Sequence, residues 1–408
     1  MALMCLCAEF AREHGAEICA LIVDHGLRSG SGREAKQARD WCAGVGLEAK
    51  ILAWRGTKPA SGVQAAARNA RYWLLARAAN EGGYGSILTA HSADDQAETV
   101  AMRRARSINE AGLVGMKDAI FIAAGAREPV KLLRPLLSFT REQTTATVKH
   151  YGQDYIDDPS NEDAAFERIR MRKKISSAQP GSSDCRLTLL KIAKTAGERM
   201  ASCRQEEEAI FKSLDGTFTQ WGGAFLSLTQ LESTGISAFP AALTVRLIRA
   251  VSGADHAPSL KAGEAAAKGA LETGTAVLGG TLIKRVRNRL WFVREPGAIL
   301  GRANIPALEP VMVPAGASIL WDSRFIITAS GGAPVTVKPL GRKPVTSLGS
   351  KKGRFEGPRE GLMSLPALYS GDDLIGAPGI LFPSLKLTVV RSLVAERFNV
   401  DIIRFSEV

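Results

Sequence analysis

No run of apolar residues in this chain approaches the ~18 needed to span a bilayer as a helix, which argues against a helical membrane protein. The N-terminus is apolar but lacks both a basic leader and a small-residue cleavage site, so it does not read as a secretory signal. None of the six cysteines (Cys5, Cys7, Cys19, Cys42, Cys185, Cys203) forms a C-x-x-C pair. Several lie in apolar segments, where cysteine behaves as a small core residue, and the pattern is that of a reduced, cytoplasmic protein. Long repeats and low-complexity tails are missing too. A further absence concerns order. MALMCLCAEFAREHG reads as a helix already under way at residue 1, with Leu3, Met4, Leu6, Cys7 and Phe10 at helical spacing. EICALIVDHG follows as a buried strand. Parallel sheets are built from strand–helix–strand units, so a strand is expected ahead of this helix, and none is there.

What is present begins with charge. The 408 residues carry a net charge of +12 and a pI of about 9.5, with 45% hydrophobic residues. That length suits two or three domains. The basic balance points to a polyanionic partner, because neutralising phosphates releases counterions. The plainer account is a soluble basic enzyme.

The first ~175 residues alternate strand and helix patterns, which predicts an α/β fold with a doubly wound parallel sheet. Strands are expected at Ile18–Val23, Leu47–Leu52, Ser86–Ala90 and Val130–Leu133, with a helix over GVQAAARNARYWLLARAANEGG that its glycines terminate. SSAQPGSSD, residues 176–184, reads as a linker. A mainly helical middle region follows, then TLIKRVRNRLWFVRE as a strand or hairpin with its basic residues on one face. From residue 301, short strands punctuated by Pro and Gly suggest a small α+β domain. The expected division is 1–177, 184–298 and 301–408.

Three stretches could carry chemistry. In VDHGLRSGS a strand ends in Asp24, His25 and Gly26, at the edge where open α/β sheets bind ligands. An ordinary strand exit would look the same. In SILTAHSADDQAETV, Ser92 can cap a helix with Asp95 at capping-box spacing. Asp95 and Glu98 are three apart and Asp94 and Glu98 four apart, so their carboxylates can converge beside His91. Acids in a first helical turn also complement the helix dipole, which is the plainer account. A site for a cation or an ammonium substrate is the sharper one. In DDPSNEDAAFERIRMRKK, a turn at Asp158-Pro159-Ser160-Asn161 precedes Arg168, Arg170, Arg172, Lys173 and Lys174. Charge runs are usually solvated faces, although arginine forks also match phosphate oxygens.

Together these strings resemble the tRNA(Ile)-lysidine synthetases, members of the N-type ATP pyrophosphatase (PP-loop) enzymes. VDHGLR, Arg71 and Tyr72 in ARNARYWLLA, HSADDQAETVAMR, GLVGM (112–116), LLRPLLSFTREQ (132–143) and DPSNEDAAFERIRMR occur in family order across nearly the whole first domain. WDSRF (321–325) and LPALYSGDDLIGAPGI (365–380) resemble the family's C-terminal region less sharply.

The resemblance implies an ATP-dependent carbon–nitrogen ligation. C2–O of the first anticodon cytidine of a CAU-bearing tRNA(Ile) is adenylated, and free L-lysine then displaces AMP, so that AUA is decoded instead of AUG. ATP and Mg²⁺ are the implied cofactors, with no dedicated protein metal site. Asp95 and Glu98 are expected to hold lysine's ammonium groups, one of them taking a proton as the amine attacks. Arg71 is expected to stabilise phosphate or carboxylate. Asp24, His25, Gly26, His91 and Asp94 would border the nucleotide. Arg168, Arg170 and Arg172 would contact phosphate or RNA, and Lys284, Arg285, Arg287 and Arg289 the tRNA body. Family members also carry a strand and a Ser-Gly-Gly-x-Asp-Ser loop ahead of a helix like MALMCL. The expectation is that this segment lies upstream of Met1, between the strands at Ile18–Val23 and Ser86–Ala90, with a true deletion as the alternative. A related tRNA thiolase would share the fold, but the lack of C-x-x-C argues against its sulfur chemistry. A non-catalytic RNA-binding remnant is the other alternative.

Overall fold

The computed structural model describes residues 1–106, 110–156, 167–233, 239–342, 356–378 and 388–406. The turn expected at 158–161 and the last two residues of LPALYSGDDLIGAPGI lie outside these residues. The chain divides into two compact units, one of residues 1–124, 130–204 and 405–408, the other of 125–129 and 205–404.

Unit one runs α1 (Ala2–His14), β1 (Cys19–Asp24), α2 (Ser31–Gly44), β2 (Glu48–Ala53), α3 (Val63–Glu81), β3 (Ser86–Leu88), α4 (Ala93–Ala105), α5 (Glu110–Leu113), β4 (Ala119–Ala124), β5 (Val130–Leu133), α6 (Arg141–His150), α7 (Glu167–Ser176) and α8 (Arg186–Ser213), whose last turns belong to unit two. Local chemistry sets the boundaries. Helix α1 stops where Gly15 takes φ +64°, a left-handed conformation that glycine adopts without a Cβ penalty. Helix α4 begins at a complete capping box: the Ser92 hydroxyl accepts from the Asp95 N–H, and the Asp95 carboxylate accepts from the Ser92 N–H.

The α/β order is as expected, with two corrections to the sheet. First, it is mixed. β1 pairs in parallel with β2 (Cys19↔Glu48 to Asp24↔Ala53), and β3 in parallel with β5 (Ser86↔Lys131), but β4 lies antiparallel to β5. Only residues 125–129 join β4 to β5, a connection too short for the crossover that a parallel pair requires. Second, β1 is apolar in sequence but only half-buried along its whole length. No ladder joins β1 to β3 among the described residues, so each has a neighbour on one edge only. The main core of the unit lies where Tyr72, Leu75, Ala76 and Ala79 of α3 pack on Ile87, Ile122 and Leu132. Burying side chains such as Leu75 contributes roughly 1.5–3 kcal/mol each.

Unit two is less helical than expected in its middle part. β6 (Thr217–Phe218), β7 (Ala224–Ser227), β8 (Thr275–Leu278), β9 (Thr281–Val286) and β10 (Arg289–Arg294) form an antiparallel sheet in the order β6-β7-β10-β9-β8. The helices α9 (Leu228–Ser233), α10 (Ala241–Ser252) and α11 (Leu260–Thr273) fall between β7 and β8 in sequence, and α10 and α11 share its core. The hairpin β9–β10 was legible, but strands of two to four residues carry too little periodicity to announce themselves. Short strands between Val311 and Ser392 complete the unit. Among the described residues no helix is long and apolar enough to cross a membrane.

Candidate active site

The candidate residues of unit one gather at the carboxyl ends of β1 and β3. Their surroundings separate what the sequence grouped. Asp95 and Glu98 lie together on α4, as their spacing predicts, but neither carboxylate is free. Arg168 Nε donates to Glu98 Oε2 at 2.6 Å and its Nη2 to Asp95 Oδ1 at 2.7 Å, while Arg172 Nε donates to Glu98 Oε1 at 2.7 Å. Only 2% of the Glu98 side chain is exposed, against 19% for Asp95. Burial alone would raise the Asp95 pKa, but the Ser92 N–H and the Arg168 charge outweigh it and hold it below the ordinary value. The same pairing lifts Arg168, where the Glu98 and Asp95 charges overcome the effect of burial. Arg168 and Arg172 therefore turn inward to acids. Arg170, between them in sequence, lies on the exposed side of α7.

Asp94 points away from this pair. Its Oδ2 accepts the Arg141 N–H at 2.7 Å, in the first turn of α6, and its Oδ1 accepts from Arg186 Nη1 at 2.9 Å. A cavity of about 820 Å³ opens on that side, lined by Asp94, Glu98, Glu142, Arg172, Arg186 and Lys149 among others. Arg186, which sequence reasoning missed, bridges Asp94 and Glu142 there, and the Thr140 and Arg186 hydrogen bonds hold Glu142 down at about 2.

At the end of β1, Asp24 serves its own loop: its Oδ1 accepts the Gly26 N–H at 2.9 Å, and its bond with Ser31 is the first cause of its lowered pKa. Gly26 takes φ +59°, and a Cβ there would meet open space, so glycine answers a backbone need rather than a close approach. His25 and Arg71 meet across 46 residues, with Arg71 Nη2 3.2 Å from His25 Nε2. Burial, then the Arg71 charge, lowers the His25 pKa to about 4. His91 is likewise lowered to about 4 by burial and then by Arg134, and its Nδ1 lies 3.0 Å from Thr89 Oγ1. Burial and the neighbouring Arg68 and Arg168 depress Arg71. Neither Arg68 nor Arg71 forms an ion pair among the described residues, which leaves an anion-receptive edge beside the acids. Arg68 lies in ARNARYWLLA, where nothing in the sequence separates it from a solvated helix face.

Two other strings receive a structural role. Gln96 Nε2 donates to Val114 O and Met116 O, and Gln96 Oε1 accepts the Met116 N–H, while Arg103 Nη1 binds Gly112 O and Gly115 O. GLVGM is thus strapped to the helix that bears the acids. In unit two, the basic residues of the hairpin do not share a face. Lys284 opposes Trp291 and Arg285 opposes Leu290, and successive strand residues point to opposite sides. Lys284 pairs with Glu360 and Arg289 with Glu356 at 2.7 Å; Arg287 sits in the turn at φ +54°. Arg285 and Arg287 are exposed.

The PP-loop domain family model (ATP_bind_3) matches residues 1–179. A tRNA(Ile)-lysidine synthase from a Bradyrhizobium species is 42% identical over 198 residues, covering 48% of this chain and 54% of the relative. That match spans about half of the relative's length. One from Ruegeria pomeroyi is 31% identical over 386 residues, covering 93% of this chain and 85% of the relative. Among solved structures, a U34-tRNA thiolase from Methanococcus maripaludis overlaps 48% of this chain and 68% of its own at a TM-score of 0.39 and 13% identity, too slight a likeness to build on.

Proposed function

We infer the function from one premise: the chain belongs to the tRNA(Ile)-lysidine synthase family. We propose that it joins free L-lysine to C2 of the wobble cytidine in a CAU-bearing tRNA(Ile), as an ATP-dependent carbon–nitrogen ligase with Mg²⁺ accompanying the nucleotide. The observation that carries this reading is the meeting of opposite chemistries in unit one. Arg68 and Arg71 form an anion-receptive edge without carboxylate partners, and Asp95 and Glu98 stand beside it within the electrostatic reach of Arg168.

The residues present fit a triphosphate, because among the described residues guanidinium groups without an ion pair and a buried His25 Nδ1 without a hydrogen-bond partner lie near the end of β1. ATP, when bound, supplies the adenylyl group that makes the cytidine C2 oxygen a leaving group. Arg71 holds phosphate there. Glu98, clamped by two guanidinium groups, fixes Arg168 in place. Asp95 is the more accessible carboxylate; it holds the lysine ammonium and accepts the proton that nitrogen loses as it attacks. His91, neutral at pH 7, borders the same edge. A strand seated between β1 and β3 would pair both open edges and bring its loop to the end of β1, where the family's phosphate-binding turn belongs. Arg170, Arg285 and Arg287 are exposed, and we assign tRNA phosphates to them.

Asp95→Asn tests the assignment. Lysine transfer should be abolished while folding and tRNA binding are retained, apart from roughly 1 kcal/mol for the weakened cap. Near-normal lysidine formation by that variant would return Asp95 to a helix-start role.

A further inference from the structure

His25 shows an arrangement that neither a strand exit nor a packed core requires. Arg71 Nε and Nη2 lie 3.4 and 3.2 Å from its Nε2. A guanidinium has only donors, so Nε2 must present its lone pair to Arg71. In a neutral ring the proton then resides on Nδ1. That atom is buried and has no hydrogen-bond partner among the described residues. A buried donor left unpaired bears its full desolvation penalty, which a ligand acceptor would remove.

The surroundings identify the acceptor's charge. Trp54 meets the ring edge-on, with centroids 6.2 Å apart at 88°. Lys58 stacks over Trp54 at 3.7 Å from its centroid and donates to the Trp54 carbonyl. Neither Lys58 nor Arg71 forms an ion pair among the described residues. Asp24, the nearest acid, is turned to Gly26 and Ser31. The ring is therefore flanked by two cations without an ion pair among the described residues, and Asp24 is the acid whose charge reaches the ring and Lys58. An anionic acceptor at Nδ1 answers both the unpaired donor and the surplus of positive charge around the ring.

We propose that His25 is a nucleotide-contacting residue locked in one tautomer, its Nε2 steering Arg71 and its Nδ1–H donating to a phosphate oxygen of the bound nucleotide. This rests on the reading that the chain binds ATP and narrows that reading to one atom. The low pKa agrees with it, since a ring protonated on both nitrogens could not accept from Arg71.

The test uses the full chain labelled with ¹⁵N-histidine, with the His25 signals assigned by their loss in His25→Gln. At pH 7 and without ligand, Nδ1 should show the shift of a protonated nitrogen and Nε2 that of an unprotonated one. ATP or inorganic pyrophosphate should move the Nδ1 signal, and adenosine should leave it in place. His25→Gln keeps an acceptor where Nε2 stood but has no donor at the Nδ1 position, so its ATP affinity should fall about tenfold. His25→Asn restores a donor at that position and should bind ATP more tightly than the Gln variant. A proton found on Nε2, or ATP affinity in His25→Gln equal to wild type, overturns the proposal while ATP binding itself stands. A wild-type chain that binds neither ATP nor pyrophosphate overturns the functional reading, and this contact with it.

Discussion

With 2% of its side chain open to solvent, Glu98 receives a guanidinium nitrogen on each oxygen, from Arg168 and Arg172. Removing it takes the Glu98 partner from Arg172 and leaves Arg168 with Asp95 alone. The cost of a broken buried pair is several kcal/mol, lessened here because Arg168 and Arg172 are 36% and 26% exposed. Glu98→Ala should therefore lose about 2–3 kcal/mol in urea unfolding, more than Asp95→Ala, and an unchanged midpoint would show that the pairs act as surface ones. The i, i+3 spacing made the two acids legible as a pair. Their partners were not legible, since arginine forks fit carboxylate and phosphate alike and about seventy residues separate the strings. Histidine supplies a second expectation at this scale. His25 and His91 sit near 4 when folded, against 6.5 as free side chains, so both bind protons more readily when unfolded. Stability from these rings is complete above about pH 6.5 and declines as pH falls towards 4, by up to about 2 kcal/mol each once solvent screening is allowed for. Unfolding at pH 7.5 and 4.5 should show that loss, and a double Gln variant should flatten it.

Helix α4 was the most readable element, because Ser92 and Asp95 are a start signal written within four residues. Its strap was not readable, as nothing local links Gln96 to a loop twenty residues on. Gly115 is where the strap is most sensitive. It takes φ +72°, and a Cβ there would lie 2.6 Å from Gln96 Oε1. Gly115→Ala should destabilise unit one by about 1–3 kcal/mol, through both the strained backbone and the displaced amide. Limited proteolysis should then cut near 112–116, and a wild-type digestion pattern would show that the loop adapts. Strand β4 was missed for a related reason. Its sequence, AIFIAA, is apolar, but the antiparallel partner that defines it lies across a short turn, with no helix between them to mark a strand–helix alternation. On the hairpin, closeness in sequence suggests one basic face, whereas register parts Lys284 from Arg285.

Net charge was legible for the molecule as a whole, but its placement was not. Arg246, Arg324 and Arg397 are buried in unit two, where Arg246 meets Glu207 and Arg397 donates to the Gly253 and Ala254 carbonyls. Burial, against the pull of nearby acids, lowers Arg324 and Arg397 to about 10. These cations hold the fold together and cannot meet RNA. The salt dependence of tRNA binding should therefore follow exposed groups alone. Arg287→Ala should reduce the slope by about one counterion, and Arg289→Ala, whose partner Glu356 already offsets it, by less. Equal slopes in both variants and wild type would place the tRNA elsewhere. The one-sided pairing of β1 has a consequence in time as well as in space. Along a parallel strand, alternate N–H groups face opposite neighbours, so those of β1 that turn from β2 find no strand acceptor among the described residues. Strand β5 is paired on both edges, with Leu132 wholly enclosed. Deuterium should enter alternate amides of β1 within the opening time of a loop and reach β5 only when unit one unfolds, although β1 has the more apolar sequence of the two.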